Sequence, residues 1–248
     1  MSKPNNLRIY HQDEDIVVID KPSGFQVHTP VAYAMEGKVV RKNNVLILLR
    51  KQLEREIFTV HRLDKATSGV MVFSLSSDGA RLLQDQFISK SVKKTYVCLV
   101  RGWTADSGVI DKPLSKNLDD GTLLDSVTEY ETLHRFEIPY STGRYEKERY
   151  SILKVHPLTG RLHQIRRHFR SISHPLVGDT VHGDGKHNRL WRELIGGSGP
   201  MANHLFLKSY SIEFNHPKSL ERMKFKTRWN KPWMKLFEIA GLCLMIDS

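Results

Sequence analysis

Apolar positions fall in short runs separated by polar turns along most of the chain. "RIY" at 8–10 and "DIVVID" at 15–20 predict two short strands, closed by a turn at Lys21-Pro22-Ser23-Gly24. Residues 43–57, "NNVLILLRKQLEREI", predict a helix with Asn44 as its N-cap and Leu46, Leu49 and Leu53 at helical spacing. "VMVFSL" at 70–75 reads as a buried strand. Residues 76–90 predict a second helix, capped by Ser77, with Leu82, Leu83 and Phe87 turned inward. "KKTYVCLVRG" alternates as a strand does, with Tyr96, Cys98 and Val100 on one face. "DSVTEYETLHRFE", "ERYSILKVH" and "HLFLKSYSIEF" are further strands. Residues 159–172 predict a third helix, capped by Thr159, with Leu162, Ile165, Phe169 and Ile172 as its apolar stripe. The stretch 184–201 reads as a loop. Strands dominate and helices intervene, so the expected class is α+β with a mixed or antiparallel sheet core flanked by helices.

The 248 residues carry no repeat and no clear linker, which points to a single domain spanning 1–248. No apolar run is long enough to span a bilayer, and the polar start "MSKPNNLRIYHQDED" has no signal-peptide core. Cys98 and Cys243 are too far apart for a metal spacing, so a reducing cytoplasm is expected. Lys and Arg number 38 against 27 Asp and Glu, a net charge of +11. That excess suggests a polyanionic partner, nucleic acid first; a scattered basic surface is the plainer alternative.

Chemistry concentrates in two places. "VHRLDKATSGVM" sets Arg62, Asp64 and Lys65 immediately before a strand, where rigid scaffolds commonly hold catalytic residues. Neighbouring cations favour the ionised form of a carboxylate, which can act as nucleophile or proton acceptor. A structural Arg62–Asp64 ion pair fits the same residues. The second place is the 159–172 segment, which has no acidic residue. There Arg161, Arg166, Arg167 and Arg170, with His163 and Gln164 between them, could line a phosphate-rich groove. A solvated helix face is the alternative. The histidines of 156–187, with Asp179 and Asp184, raise the question of a metal, but His163 and His168 lie about 140° apart on an ideal helix. No nucleophile elbow, phosphate loop or dinucleotide fingerprint is present.

Four stretches together resemble the RluA-type pseudouridine synthases: "IVVIDKPSGFQVH", "HRLDKATSG", "KKTYVCLVRG" and "HPLTGRLHQIRRHFRSISHPLVGD". They occur in that family's order and span about two thirds of the chain. The resemblance implies a pseudouridine synthase fold with a central catalytic cleft, no separate N-terminal RNA-binding module, and isomerisation of uridine to pseudouridine without metal or cofactor. It implies Asp64 as the catalytic aspartate, Arg166 as its partner, and Tyr96 as the ring that stacks on uracil. Arg62 would help evict the base and Ile165 would pack it. RNA is the implied partner, tRNA before ribosomal RNA, handled by a monomer with no membrane attachment. A non-catalytic RNA-binding module and a metal-dependent phosphohydrolase are the rival readings. One departure is Leu207-Lys208-Ser209, where the family usually shows L-H-A.

Overall fold

The computed structural model describes residues 6–27, 43–116, 121–143, 145–196 and 204–242. They divide into two compact units, the first built from 1–94 with 209–227 and the second from 95–208 with 228–248.

The first unit begins with the hairpin β1 (Arg8–Gln12) and β2 (Ile16–Lys21). Its turn is set by Asp13, whose Oδ1 accepts from the main-chain nitrogens of Asp15 and Ile16. A two-residue strand, β3 (Phe58–Thr59), and β2 both pair antiparallel with β4 (Ser68–Ser74), where every residue is buried. That full burial explains the unbroken apolar run. Helix α1 (Val45–Leu53) is capped by Asn44 as expected, but it stops short of residue 57 because Glu54 turns left-handed at φ 53°. Helix α2 (Ser77–Ile88) is capped by Ser76 rather than Ser77, with Ser76 Oγ accepting from Gly79 N. Leu83 is buried and Phe87 packs on the core, whereas Leu82 faces outward.

In the second unit β5 (Lys93–Arg101), β10 (Glu148–Pro157), β9 (Val127–Ile138) and β6 (Ser107–Asp111) pair antiparallel in the order β5-β10-β9-β6. A small ladder joins β7 (Leu114–Ser115) to β8 (Leu123–Leu124). Strand β11 (Leu207–Asn215) carries the chain into the first unit, where it pairs with β12 (Arg222–Lys226). The α+β class is as expected.

Three helices complete the second unit, and two differ from expectation. Helix α3 (Gln164–Ser171) starts five residues late. Thr159 does not cap it. Instead its Oγ1 donates to Gln164 Oε1 and accepts from Val127 N, and His163 turns left-handed at φ 52°. Those side-chain bonds hold 159–163 as a turn. Helix α4 (Gly185–Leu194) occupies the stretch expected to be a loop. Asp184 caps it through Lys186 N and His187 N, and Leu190 and Trp191 are buried. Trp191 sits edge-on to Tyr150, Phe136 and Phe206. Helix α5 (Lys231–Ile239) is capped by Asn230 and adds Trp233 against Phe206. No helix among the described residues is long and apolar enough to cross a membrane.

Candidate active site

The turn of 61–69 is assembled by the turn after β2. Gly24 N donates to Lys65 O at 2.8 Å, and Ser23 Oγ donates to Ala66 O at 2.8 Å. Beneath them Lys21 is buried, and its Nζ donates to the carbonyls of Pro22, Phe25 and Lys65. The two motifs that looked separate in sequence are one structure. Asp64 O accepts from Thr67 N, which closes the turn, and the Asp64 side chain is half-buried. Burial pushes the Lys21 pKa down to about 7, while the carboxylates of Asp64 and Asp20 pull it up. The Asp64 carboxylate therefore lies within electrostatic reach of a buried amine. His28, at the end of the first motif, lies outside the described residues.

The rest of the turn has structural duties. His61 Nε2 accepts from Val72 N at 3.1 Å, and its ring stacks on Phe87. Burial, helped by the Lys94 charge, pushes its pKa to about 3, so the imidazole is neutral. Gly69 has a positive φ of 118°, and a Cβ there would lie 2.1 Å from Ser209 O. Only glycine fits, which accounts for the last letter of "HRLDKATSG". Arg62 is exposed, and among the described residues it forms no ion pair. The sequence allowed an Arg62–Asp64 pair; the structure leaves this arginine pointing to solvent.

In the second unit the arginine cluster separates into different tasks. Arg166 is buried, not on a solvated face. Its Nε and Nη2 donate to Asp179 Oδ2 and Oδ1, each at 2.7 Å, in a two-pronged fork. Asp179 Oδ1 also accepts from Val181 N and His182 N. Burial works to raise the Asp179 pKa, but Arg166 and these two N–H groups hold it below the ordinary carboxylate value. Gln164 is buried as well. Its Nε2 donates to Val127 O and Thr128 Oγ1, and Oε1 accepts from Thr159 Oγ1 and Arg161 N, so it shapes the turn instead of facing outward. Arg161 donates to Asp125 O, and Arg167 is clipped to Ser115 through Nη1 and Nη2. Arg170 remains exposed, 3.4 Å from Gly183 O. His163 Nδ1 lies 3.0 Å from His182 Nε2. Ile165 is buried, and Tyr96 lies on β5 opposite Val155.

Sequence reasoning missed three contributors to the local geometry: Lys21 as the buried support of the Asp64 turn, Asp179 as the partner of Arg166, and Asn188, whose amide bonds Gly178 N and Asp179 O. In sequence Asp179 stands out as the end of the "HPLVGD" stretch and as a metal candidate, with nothing to pair it with Arg166. The histidines of that segment are engaged in hydrogen bonds: His168 with Ser126 and Thr128, His174 with Arg101 O, His187 with Tyr150. The three-residue group close enough to share an ion among the described residues lies elsewhere, at Asp13, Asp15 and His216. There His216 Nδ1 accepts from Lys218 N and Ser219 N. Its proton is therefore on Nε2, facing the carboxylates, which makes that nitrogen a donor and not a metal ligand.

The model of the RNA pseudouridylate synthase family matches residues 15–171. The chain belongs to that family. Its reaction class is the isomerisation of uridine to pseudouridine, and the chain is an enzyme of that class. Among its relatives, the tRNA pseudouridine synthase C of Vibrio vulnificus (strain CMCP6) is 38% identical over 241 residues, covering 94% of each chain. That of Pectobacterium carotovorum subsp. carotovorum is 39% identical over 244 residues, covering 94% of this chain and 62% of the relative. In fold it is similar to human RNA pseudouridylate synthase domain containing 4, with a TM-score of 0.69 at 23% identity, covering 96% of this chain and 94% of that one. The corresponding domain-containing-1 protein gives 0.68 at 20% identity over 92% and 86%. The family match takes in Asp64, Tyr96 and Arg166, and it ends before Asp179 and Asn188.

Proposed function

We propose that this enzyme makes pseudouridine in tRNA, with Asp64 as its catalytic carboxylate, and that the two units serve as one catalytic domain. The observation that carries the substrate is the likeness to tRNA pseudouridine synthase C proteins over nearly the whole chain. A uridine in a stem must leave the stack before any side chain reaches its glycosidic bond, at a cost of a few kcal/mol. The excess of 38 cations over 27 acids supplies backbone affinity to offset that cost. Arg62, exposed two residues before Asp64, is suited to filling the space the base leaves. Tyr96 would stack on the flipped ring and Ile165 would pack against it. Arg166, with its fork on Asp179 fixed, would serve Asp64 as counter-charge. The glycosidic C–N bond breaks, the uracil turns, and a C–C bond forms in its place. The carbon that joins the ribose loses its proton and the freed nitrogen gains one, so the isomerisation balances without oxidant, reductant or co-reactant. Tyr96 is the candidate for taking that proton. A tRNA substrate fits action in the cytoplasm.

The test is to map pseudouridine in total RNA with and without the gene, by carbodiimide labelling and mass spectrometry. One tRNA site should be lost and restored by the wild-type chain but not by Asp64→Asn. Loss in ribosomal RNA alone would refute the tRNA assignment. Restoration by Asp64→Asn would refute the role of the carboxylate.

A further inference from the structure

We infer that Asn188, on α4, is a positioning residue for Arg166 and acts through Asp179. This rests on the reading of Arg166 as part of the catalytic machinery. Both ends of the Asn188 amide are spent on one short piece of backbone. Its Oδ1 accepts from Gly178 N at 2.7 Å, and its Nδ2 donates to Asp179 O at 2.7 Å. The amide thus spans the residues that present the Asp179 carboxylate, as a neighbouring strand would. From the other side Gly178 is pressed on His204: its φ is 82°, and a Cβ would lie 1.8 Å from His204 O. Gly183 N also donates to Asp179 O. The Asp179 backbone is therefore fixed from several directions, and its carboxylate is aimed at Nε and Nη2 of Arg166.

Helix α4 has the rigidity such a clamp needs. Asp184 caps it, His187 Nδ1 is 2.7 Å from Tyr150 Oη, and Trp191 is buried among aromatic rings. Asn188 sits one residue beyond His187 and projects the clamp from that anchored turn. A buried Arg–Asp fork could stand alone as a structural ion pair. The clamp argues for something more exacting, because it fixes where the pair sits as well as that it forms. Small misplacements of a catalytic group are costly: about an ångström can remove about a hundredfold in rate.

The experiment compares Asn188→Ala, Asn188→Asp and Trp191→Phe in the full chain on tRNA substrate, per folded molecule. Asn188→Asp keeps an acceptor for Gly178 N and loses the donor to Asp179 O, so the test survives if the alanine variant folds poorly. Single-turnover rate should fall roughly ten- to a hundredfold in both Asn188 variants, with the dissociation constant for RNA within about threefold of wild type. The acid limb of the pH–rate profile should also move to higher pH. The Asp179 carboxylate faces Arg166 on α3 and His182, and His182 in turn lies near His163 and Arg167. Less firmly seated on Arg166 and on the two N–H groups, it takes up a proton more readily. Trp191→Phe should lower stability without moving that limb. Unchanged rates in Asn188→Ala, or a rate loss with an unmoved acid limb, would overturn the inference. If Asp64→Asn is inactive while Asn188→Ala behaves as wild type, the positioning role fails and the catalytic reading stands. If Asp64→Asn is active, it is the catalytic reading that fails.

Discussion

Lys21 donates through Nζ to the main-chain oxygen of Lys65, the residue after Asp64, at 3.3 Å. A fully buried amine thus stands under the 61–69 turn, bonded to it through Lys65 O and to the turn after β2 through Pro22 O and Phe25 O. Burial of an amine favours its neutral form, so its pKa falls to about 7 from an ordinary 10.5. Between those two values the unfolded chain carries a proton that the folded one has shed. Stability from this group is therefore complete above about pH 10 and is lost as pH falls toward 7. Lys21→Met removes the titration along with the three hydrogen bonds. The variant should show a flatter stability-against-pH curve between 7 and 10 than wild type, read by urea denaturation, and a slower single-turnover rate. Parallel curves for the two proteins would show that Lys21 is not desolvated in the fold.

Gly69→Ala should be among the most damaging single substitutions outside the reacting groups. The added methyl would lie 2.1 Å from Ser209 O, a main-chain atom with no freedom to step aside, at a φ of 118°. Strain of this kind exceeds about 3 kcal/mol. Chemical denaturation should show that loss, or the protein should fail to accumulate in soluble form. A change below about 1 kcal/mol would mean that β4 and Ser209 can separate at little cost.

The arginines of the 159–172 segment should divide by what holds them. Arg167 donates to Ser115 O and Oγ, so Arg167→Ala should lower stability by about 1–2 kcal/mol through lost hydrogen bonds. Arg170 is exposed and weakly held, so Arg170→Ala should leave the melting temperature unchanged. If it contacts a phosphate, the slope of log binding constant against log salt should drop by about 1. Salt titrations of RNA binding with both variants make the comparison, and an unaltered slope for Arg170→Ala would remove it from the RNA face.

What the sequence disclosed follows from how local each feature is. The Asn44 cap, the apolar run of β4 and the alternation of β5 depend on neighbours within a few residues, and each was legible. The Lys21–Lys65 and Arg166–Asp179 contacts join residues 44 and 13 positions apart, and nothing local encodes them. Gln164 looked like one more polar position on a basic helix. Only the structure shows its amide filled by Val127, Thr128 and Thr159, which moves the helix start from 159 to 164. Helix α4 was obscured by Gly185 and by the glycines that follow it. Its Asp184 cap and its Leu190–Trp191 pair were nevertheless visible signals. Helical spacing sets Arg166 off the apolar stripe and so predicts a place in a phosphate-lined groove. Asp179 neutralises it there, and that permits the burial.

Two poorly solvated histidines should make the fold sensitive to acid. His61 accepts from Val72 N and is stacked on Phe87; burial, with the Lys94 charge, holds its pKa near 3. His204 is buried in the second unit, and burial with the Lys208 charge brings its pKa to about 4. Both are neutral when folded, whereas an unfolded histidine titrates near 6.5. Below that value the unfolded chain binds protons the native one refuses. Their contribution is therefore complete above about pH 6.5 and declines as pH falls toward 4 and then 3. His61→Gln keeps an acceptor for Val72 N–H and abolishes the titration. It should be somewhat less stable than wild type at pH 7 and should lose less stability between pH 7 and 4, measured by urea denaturation at a series of pH values. An equal loss in the two proteins would show that His61 accepts a proton in the folded state, and the neutral ring inferred from its bond to Val72 would be wrong.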